Sequence, residues 1–148
     1  MEPTMTTAHR QTVSGWLSEA GKAAGHTLVM DEDGHCTLLF GEGMQCVVEV
    51  TENSNLVFLY VPLLDLAEDE DLQTPVLKRA LELNLFGMET GGGYLAYDER
   101  TETLLLTFSA PVDEIDSTIF SQILGDLLDA AVHLRKVFWI GSVATASG

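Results

Sequence analysis

The stretch that most constrains the fold is a strand pair followed by a long helix, over residues 91–139. Alternating side chains in 94–98 and 104–110 predict two strands, joined by a turn at Glu99, Arg100 and Thr101. From Asp116 to about Trp139, apolar residues recur at helical spacing, and Asp116 is placed to cap the first turn. A hairpin and an apolar helix form a small α+β core, which the rest of the chain is predicted to complete.

Length and charge narrow the classes of protein to which this chain can belong. The 148 residues predict a single domain over 1–140, with a flexible tail at 141–148. There are 23 acidic and 7 basic residues, and a net charge of −16 should repel nucleic acid and anionic membranes. The amino terminus lacks the apolar stretch of a secretory signal, and no apolar run reaches the ~18 residues of a membrane span. We therefore expect a cytoplasmic protein whose Cys36 and Cys46 are buried, reduced thiols.

The first half of the chain predicts a helix over 8–24 and then three strands. Helical spacing places Val13, Trp16 and Leu17 on one face, with Gly25 ending the helix. Strands are predicted over 35–40, 44–51 and 56–62, with a turn at 41–43 and Pro62 ending the third strand. Centring the first hairpin on that turn puts seven apolar side chains on one core face: Cys36, Leu38, Phe40, Met44, Cys46, Val48 and Val50.

A second helix is predicted to begin at Thr74, with Pro75 at its first helical position, and to be closed by Gly87. Its apolar residues form two stripes. One stripe can pack on the helix's own sheet: Val76, Ala80 and Leu83. The other points elsewhere: Leu77, Leu81 and Leu85. A helix that is apolar on two sides favours a homodimer, although a helix inserted deeply into one subunit would also satisfy the pattern.

The closing hairpin is predicted to divide its side chains between two faces. The core face would hold Tyr94, Ala96, Leu104, Leu106 and Phe108. The second face would hold Leu95, Tyr97, Thr103, Leu105 and Thr107, and we expect it to lie beside the second helix, where two subunits meet. The element order is then α-β-β-β-α-β-β-α, which indicates an α+β fold with a mainly antiparallel five-stranded sheet covered by helices.

Reactive groups in the sequence are scattered and do not form a catalytic or metal-binding pattern. The four histidines are far apart, and no serine lies in a nucleophile-elbow setting. The glycines at 91–93 precede a strand and are not followed by lysine, so they do not predict a phosphate loop. The acidic stretch 65–71 is expected to be a solvated loop. We therefore predict no enzyme activity, cofactor, metal or small-molecule substrate. Excess apolar surface instead predicts binding to other proteins, for which an exposed strand edge can hold an extended chain.

Three local sequences, in the predicted element order, resemble a known family. They are LVMDEDG at 28–34, ALELNL at 80–85 leading into GGGYLAYD at 91–98, and LLDAA at 127–131. With the size and acidic composition, they make residues 12–138 similar to the class I chaperones of type III secretion systems, the group that includes the Tir chaperone.

The resemblance implies a cytosolic homodimer that binds the amino-terminal region of a secreted effector protein in extended form, without ATP. It implies a dimer interface on the second helix and adjoining strands: Leu77, Leu81, Leu85, Leu95 and Tyr97. It implies effector contacts on the first helix and first strands: Trp16, Leu28, Met30, Leu39 and Val47. Each could also be core, and for Trp16 core packing is favoured because it shares a stripe with Val13. Two other functions stay open: sequestering a regulator of secretion genes, and binding a small ligand in an α+β pocket.

Overall fold

The computed structural model describes the backbone of residues 5–147 and the side chains of residues 7–138. Three α-helices and five strands follow one another in the predicted order α-β-β-β-α-β-β-α, with a short 3-10 turn before the last helix. Their bounds are α1 Met5–Ala24, β1 His35–Phe40, β2 Met44–Glu49, β3 Leu56–Asp65, α2 Glu70–Phe86, β4 Tyr94–Asp98, β5 Thr103–Pro111, the 3-10 turn Val112–Glu114 and α3 Ser117–Ser147.

The five strands form one antiparallel sheet in the order β1-β2-β3-β5-β4, so β1 and β4 are its edges. Helix α3 packs across β3 and β5 and against α1, while α2 packs beside β4. The core between sheet and helices contains fully buried Leu17, Leu59, Leu106, Phe120 and Leu134. The predicted α+β class, with a five-stranded antiparallel sheet covered by helices, is confirmed.

The first hairpin has the predicted register. Phe40 pairs with Met44 across the three-residue turn, and Cys36 pairs with Val48. Because directly paired residues share a face, the apolar side chains of both strands point at the helices. All seven of the predicted core residues here are buried except Phe40, which is half-buried.

The third strand runs past its predicted end. Pro62 pairs with Leu105 of β5, and β3 continues to Asp65 with a bulge between Pro62 and Leu64. Proline is tolerated because β2 pairs with β3 only as far as Tyr60. Beyond Tyr60, β3 pairs only with β5 among the described strands. The missing N–H of Pro62 therefore leaves no carbonyl of β2 without its hydrogen bond.

Helix α2 begins at Glu70, four residues before the predicted start at Thr74, and Pro75 lies inside it. Glu70 and Asp71 occupy its first turn, where carboxylates are favoured by the helix dipole. Part of the stretch predicted as an acidic loop is therefore helical. The predicted end is confirmed, because Gly87 adopts the left-handed conformation with φ 65°.

The predicted faces of the closing hairpin are wrong for β4. Leu95 pairs with Leu106 and Tyr97 pairs with Leu104, so Leu95 and Tyr97 lie on the helix-covered face. Tyr94 and Ala96 lie on the opposite face with Leu105 and Thr107. The cause is the turn: Asp98 pairs with Thr103, and Glu102 adopts a positive φ of 51°, so four residues form the loop. A three-residue turn shifts the register by one residue, which exchanges the two faces.

Helix α3 begins as predicted and continues further. The Oδ1 atom of Asp116 accepts a hydrogen bond from the Ile119 N–H at 2.8 Å, which caps the first turn. The helix was predicted to end near Trp139 but extends to Ser147. That stretch contains no proline, and Gly141 does not interrupt it. A helical backbone does not measure flexibility, so the flexible tail at 141–148 stays a prediction.

Candidate protein-binding surfaces

None of the described helices covers one face of the sheet, and the side chains on that face are half-buried or exposed. Val47, Tyr60, Thr107 and Tyr94 form a row across β2, β3, β5 and β4 on this open face. Neighbouring positions add exposed Leu39 of β1 and half-buried Phe58 of β3 and Leu105 of β5. An open face with this many apolar side chains is typical of a surface that contacts other proteins.

The two edges of the sheet differ in what covers them. At β4, the Asn84 side chain of α2 donates to the Leu95 carbonyl at 3.0 Å and accepts from the Leu95 N–H at 2.7 Å. The amide of one side chain thus satisfies both outward backbone groups of Leu95. A strand of another chain can pair with an edge strand only through unpaired backbone groups. Helix α2 therefore blocks such pairing at the centre of β4.

At β1, the hydrogen bonds that the described residues make to outward backbone groups lie at the start of the strand. The His35 carbonyl accepts from the Asp31 N–H at 2.8 Å, and the His35 N–H donates to Asp31 Oδ1 at 2.9 Å. Since backbone groups alternate sides along a strand, those of Thr37 and Leu39 also point outward, away from β2. Both residues are exposed, and β1 has no strand on that side. This edge can accept an added strand.

Segment 26–31 brings two of the predicted effector-binding residues beside the start of β1. Leu28 and Met30 are half-buried against the core, whereas Val29 between them is exposed, as is Leu39 at 74%. The Val29 N–H hydrogen-bonds the Cys36 thiol, although burial is the larger effect and raises the pKa of Cys36. Leu28 and Met30 therefore pack on the core side of the start of β1, whereas Leu39 lies further along the strand on the open face.

Arg10 of α1 fixes the geometry of this region. Its guanidinium donates to the carbonyls of Val50 at 3.0 Å, Asp33 at 3.0 Å and Glu32 at 3.4 Å. One side chain therefore ties α1 to the end of the first hairpin and to the turn before β1. The sequence holds no signal for this contact, because the acceptors are main-chain carbonyls that any residue provides.

The remaining two predicted effector-binding residues differ in access. Trp16 is buried and packs on Phe120, with ring centroids 5.4 Å apart and planes tilted by 33°. Trp16 therefore packs in the core, as its position on one stripe with Val13 favoured. Val47 is half-buried on the open face.

Helix α2 presents a second apolar surface. Val76, Ala80 and Leu83 are buried against the protein's own core, as predicted. On the other side, Leu81 and Leu85 are 71% and 73% exposed, and Leu77 is half-buried. This surface, which we call the α2 patch, comprises Leu77, Leu81, Leu85, Phe86, Met88 and Tyr97.

Two members of the α2 patch, Phe86 and Met88, were not singled out from the sequence. They are exposed at 79% and 87%, because they flank the left-handed Gly87 where the helix ends. Leu95 was expected at the subunit interface, but its side chain is only 6% exposed in the single subunit. Its role at an interface stays a prediction.

Three of the histidines lie beside carboxylates, and His35 lies beside two, Asp31 and Glu49. His35 lies 3.0 Å from Glu49, His133 lies 3.2 Å from Glu89 and His9 lies 3.4 Å from Asp113. Across the described side chains, no three His, Cys, Asp or Glu residues converge as a metal site would need. Among the described helices, none combines the length and apolarity that a membrane crossing requires.

An α+β domain with an open sheet face, an uncovered strand edge and an exposed apolar helix surface is built to contact other polypeptides. The family model described as the Tir chaperone protein (CesT) family matches residues 16–135. The chain therefore belongs to that family, as the resemblance of its three local sequences predicted. No curated protein sequence matches significantly.

Solved structures carry the same fold at low sequence identity. A chain of the ExsC-ExsE complex is 19% identical with a TM-score of 0.71, covering 87% of this chain and 95% of that one. A chain of the HopA1-SchA chaperone-effector complex is 18% identical with a TM-score of 0.66, covering 87% and 97%. A chain of the ExoT-SpcS complex from Pseudomonas aeruginosa is 20% identical with a TM-score of 0.61, covering 90% and 98%.

Proposed function

We propose that this protein is a cytoplasmic type III secretion chaperone that works as a homodimer. It binds the amino-terminal segment of a secreted effector in extended form and keeps it soluble and competent for secretion. The observation that carries the proposal is the uncovered outer edge of β1, at Thr37 and Leu39, in a chain of the Tir chaperone family. The ExoT-SpcS and HopA1-SchA structures are complexes of related fold, the latter described as chaperone and effector.

The α2 patch supports the homodimer. Leu77, Leu81 and Leu85 recur every four residues, so they form one stripe along the helix. A stripe with two leucines more than 70% exposed is costly in water and is satisfied by a second copy of the same helix. Tyr97 and Leu95 of β4 are proposed to belong to the same interface, because β4 packs beside α2.

The cargo surface combines the β1 edge with the open face. Outward N–H and C=O groups of Thr37 and Leu39 would pair with the main chain of the cargo, which requires no particular cargo sequence. Side chains of the cargo would then contact Leu39 and Val47 on one side, and Leu28 and Met30 on the other. The Asn84 clamp on Leu95 leaves β4 unsuited to the same role, so one edge in each subunit takes cargo.

The test is coexpression of the protein with amino-terminal segments of proteins that its host secretes by the type III apparatus. A bound segment should copurify with two copies of the chaperone, as measured by light scattering. Hydrogen exchange in the complex should show new protection at Thr37 and Leu39 and none at β4. Copurification with protection confined to β4 or α2 would contradict the proposed cargo edge, and turnover of a small molecule by the pure protein would contradict the proposed function.

A further inference from the structure

A cleft of about 490 Å³ lies where the β1–β2 turn meets α3. Its lining residues are Gly41, Glu42, Met44, Val132, Arg135 and Lys136. The Arg135 guanidinium donates to the Glu42 carbonyl at 2.8 Å, which holds the turn against the helix. The cleft therefore places two cationic side chains beside an apolar wall formed by Met44 and Val132.

This pair of cations is unusual in a chain with 23 acidic residues and only 7 basic ones. Arg79 lies 3.3 Å from Glu82, and Arg100 lies 3.7 Å from Asp98. Arg135 and Lys136 form no ion pair with any described carboxylate, which is also true of Arg10, Lys22 and Lys78, but these two cations line one cleft together. Two uncompensated cations next to apolar surface favour a carboxylate, because the wall displaces part of the water that would otherwise screen the attraction.

The cleft continues the proposed cargo edge. Gly41 follows β1 directly and lies two residues beyond Leu39, the last residue whose backbone groups point outward. At a rise of about 3.3 Å per residue, a chain paired with Leu39 reaches the cleft after about two residues. A cargo strand on β1 would therefore pass the two cations without changing direction.

We propose that the cleft binds an Asp or Glu side chain of the cargo strand, with the apolar cargo side chain two residues away packed against Val132. The inference rests on the proposed function and adds a sequence requirement to it. Because Leu39 is on the open face and α3 is on the other face, the carboxylate lies one or three residues beyond the cargo residue opposite Leu39. In an otherwise anionic chaperone, this contact fixes the register of a strand whose main-chain hydrogen bonds alone would allow slippage.

The test is selection of random displayed peptides on the wild-type protein and on the Arg135→Gln/Lys136→Gln variant. Arg79→Gln/Arg100→Gln, with the same change in net charge at exposed positions, is the matched control. Because Arg135 also holds the turn, Lys136→Gln alone is included; Lys136 has no hydrogen bond or ion pair among the described residues. Peptides selected on the wild type and the control should carry an acidic residue at a fixed distance from an alternating apolar stretch.

Fluorescence anisotropy on a selected peptide then measures the contact. Replacing its acidic residue by the amide should weaken binding to the wild type about tenfold and leave binding to Arg135→Gln/Lys136→Gln unchanged. In Arg135→Glu/Lys136→Glu, the preference should reverse toward a lysine at that position.

Two results would overturn the inference in distinguishable ways. The Thr37→Pro variant lacks the outward N–H of the edge. If the selected peptides fail to bind this variant but share no fixed acidic position, the proposed cargo edge stands and the acidic subsite is refuted. Peptides that bind Thr37→Pro as well as the wild type, or the recovery of no binding peptide, would overturn the cargo edge and the subsite together.

Discussion

The Asn84 side chain makes both hydrogen bonds that the outward backbone of Leu95 can form, at 2.7 and 3.0 Å. We expect Asn84→Leu to lower the free energy of unfolding by roughly 2–4 kcal/mol, because two partly buried backbone groups lose their partner. Urea denaturation of the variant and of Asn55→Leu, which changes an exposed side chain, measures the difference. Equal midpoints for the two variants would show that the clamp contributes nothing to stability.

Comparing alanine substitutions at Gly34 and Gly25 distinguishes the effect of steric crowding from that of backbone strain. Both have positive φ, 82° and 75°. A Cβ at Gly34 would lie 2.4 Å from Arg10 Nε and 2.5 Å from the Val50 carbonyl, whereas one at Gly25 would meet nothing within 4 Å. Gly25→Ala should cost about 1–2 kcal/mol from its backbone conformation. Gly34→Ala should lower the free energy of unfolding by clearly more, because Arg10 must also leave its carbonyl acceptors. Thermal denaturation of the two variants measures the difference. Equal losses of stability would show that Arg10 does not hold the turn in place.

The sequence predicted those parts of the fold whose signals are local. The turn at 41–43 fixed the first hairpin, because its glycines allow the positive φ values of 54° and 71° that the turn needs. The second hairpin turn has no such glycine, and its positive-φ residue is Glu102. A pattern of residue types therefore gave a loop one residue too short, and Leu95 and Tyr97 were assigned to the wrong face.

The sequence predicted the candidate surfaces only where apolar residues repeat on a face that the subunit's own core does not cover. Leu81 and Leu85 stood out because they repeat on a face that the helix does not need for its own core. Arg10 and Asn84 did not, because both bind main-chain atoms that carry no sequence signature. Their roles depend on how distant elements meet, and in this chain α1 meets the 31–34 turn across more than 20 residues.

If the proposed homodimer forms through the α2 patch, Leu81→Glu should convert it to a folded monomer. Leu81 is 71% exposed in one subunit, so a carboxylate there costs the monomer little, but it would be buried without a partner in the α2 patch of a dimer. Light scattering gives the mass, and circular dichroism checks the fold. Ile119→Glu, at an exposed apolar position of α3, is the control and should remain dimeric. A wild-type monomer at micromolar concentration would refute the dimer itself.

Thr37→Pro should abolish cargo binding with little loss of stability. The Thr37 N–H points away from β2, so proline removes no hydrogen bond of the sheet, and edge strands tolerate it at such positions. We expect the free energy of unfolding to fall by less than about 1 kcal/mol, since surface changes of this kind have small effects. Thr37→Val preserves the N–H and should still bind cargo. Retained binding in Thr37→Pro, measured by copurification, would mean that cargo does not extend the sheet at β1.

Cys46 should make stability fall in alkaline solution. Burial, with a smaller contribution from Cys36, raises the pKa of Cys46 from 9.0 to about 12. The folded protein thus holds this proton where the unfolded chain has released it, so the stabilisation is complete below about pH 9 and is lost as the pH rises toward 12. For this one group the slope approaches about 1.4 kcal/mol per pH unit.

Denaturation of the wild type and of Cys46→Val across this range isolates the effect, because Cys36 and Tyr60 titrate in both proteins. The free energy of unfolding should fall more steeply with pH in the wild type. Alkylation by iodoacetamide, which reacts with the thiolate, should be about a thousandfold slower at Cys46 in the folded protein than in guanidinium. Parallel pH profiles together with equal alkylation rates would show that Cys46 is neither buried nor shifted in solution.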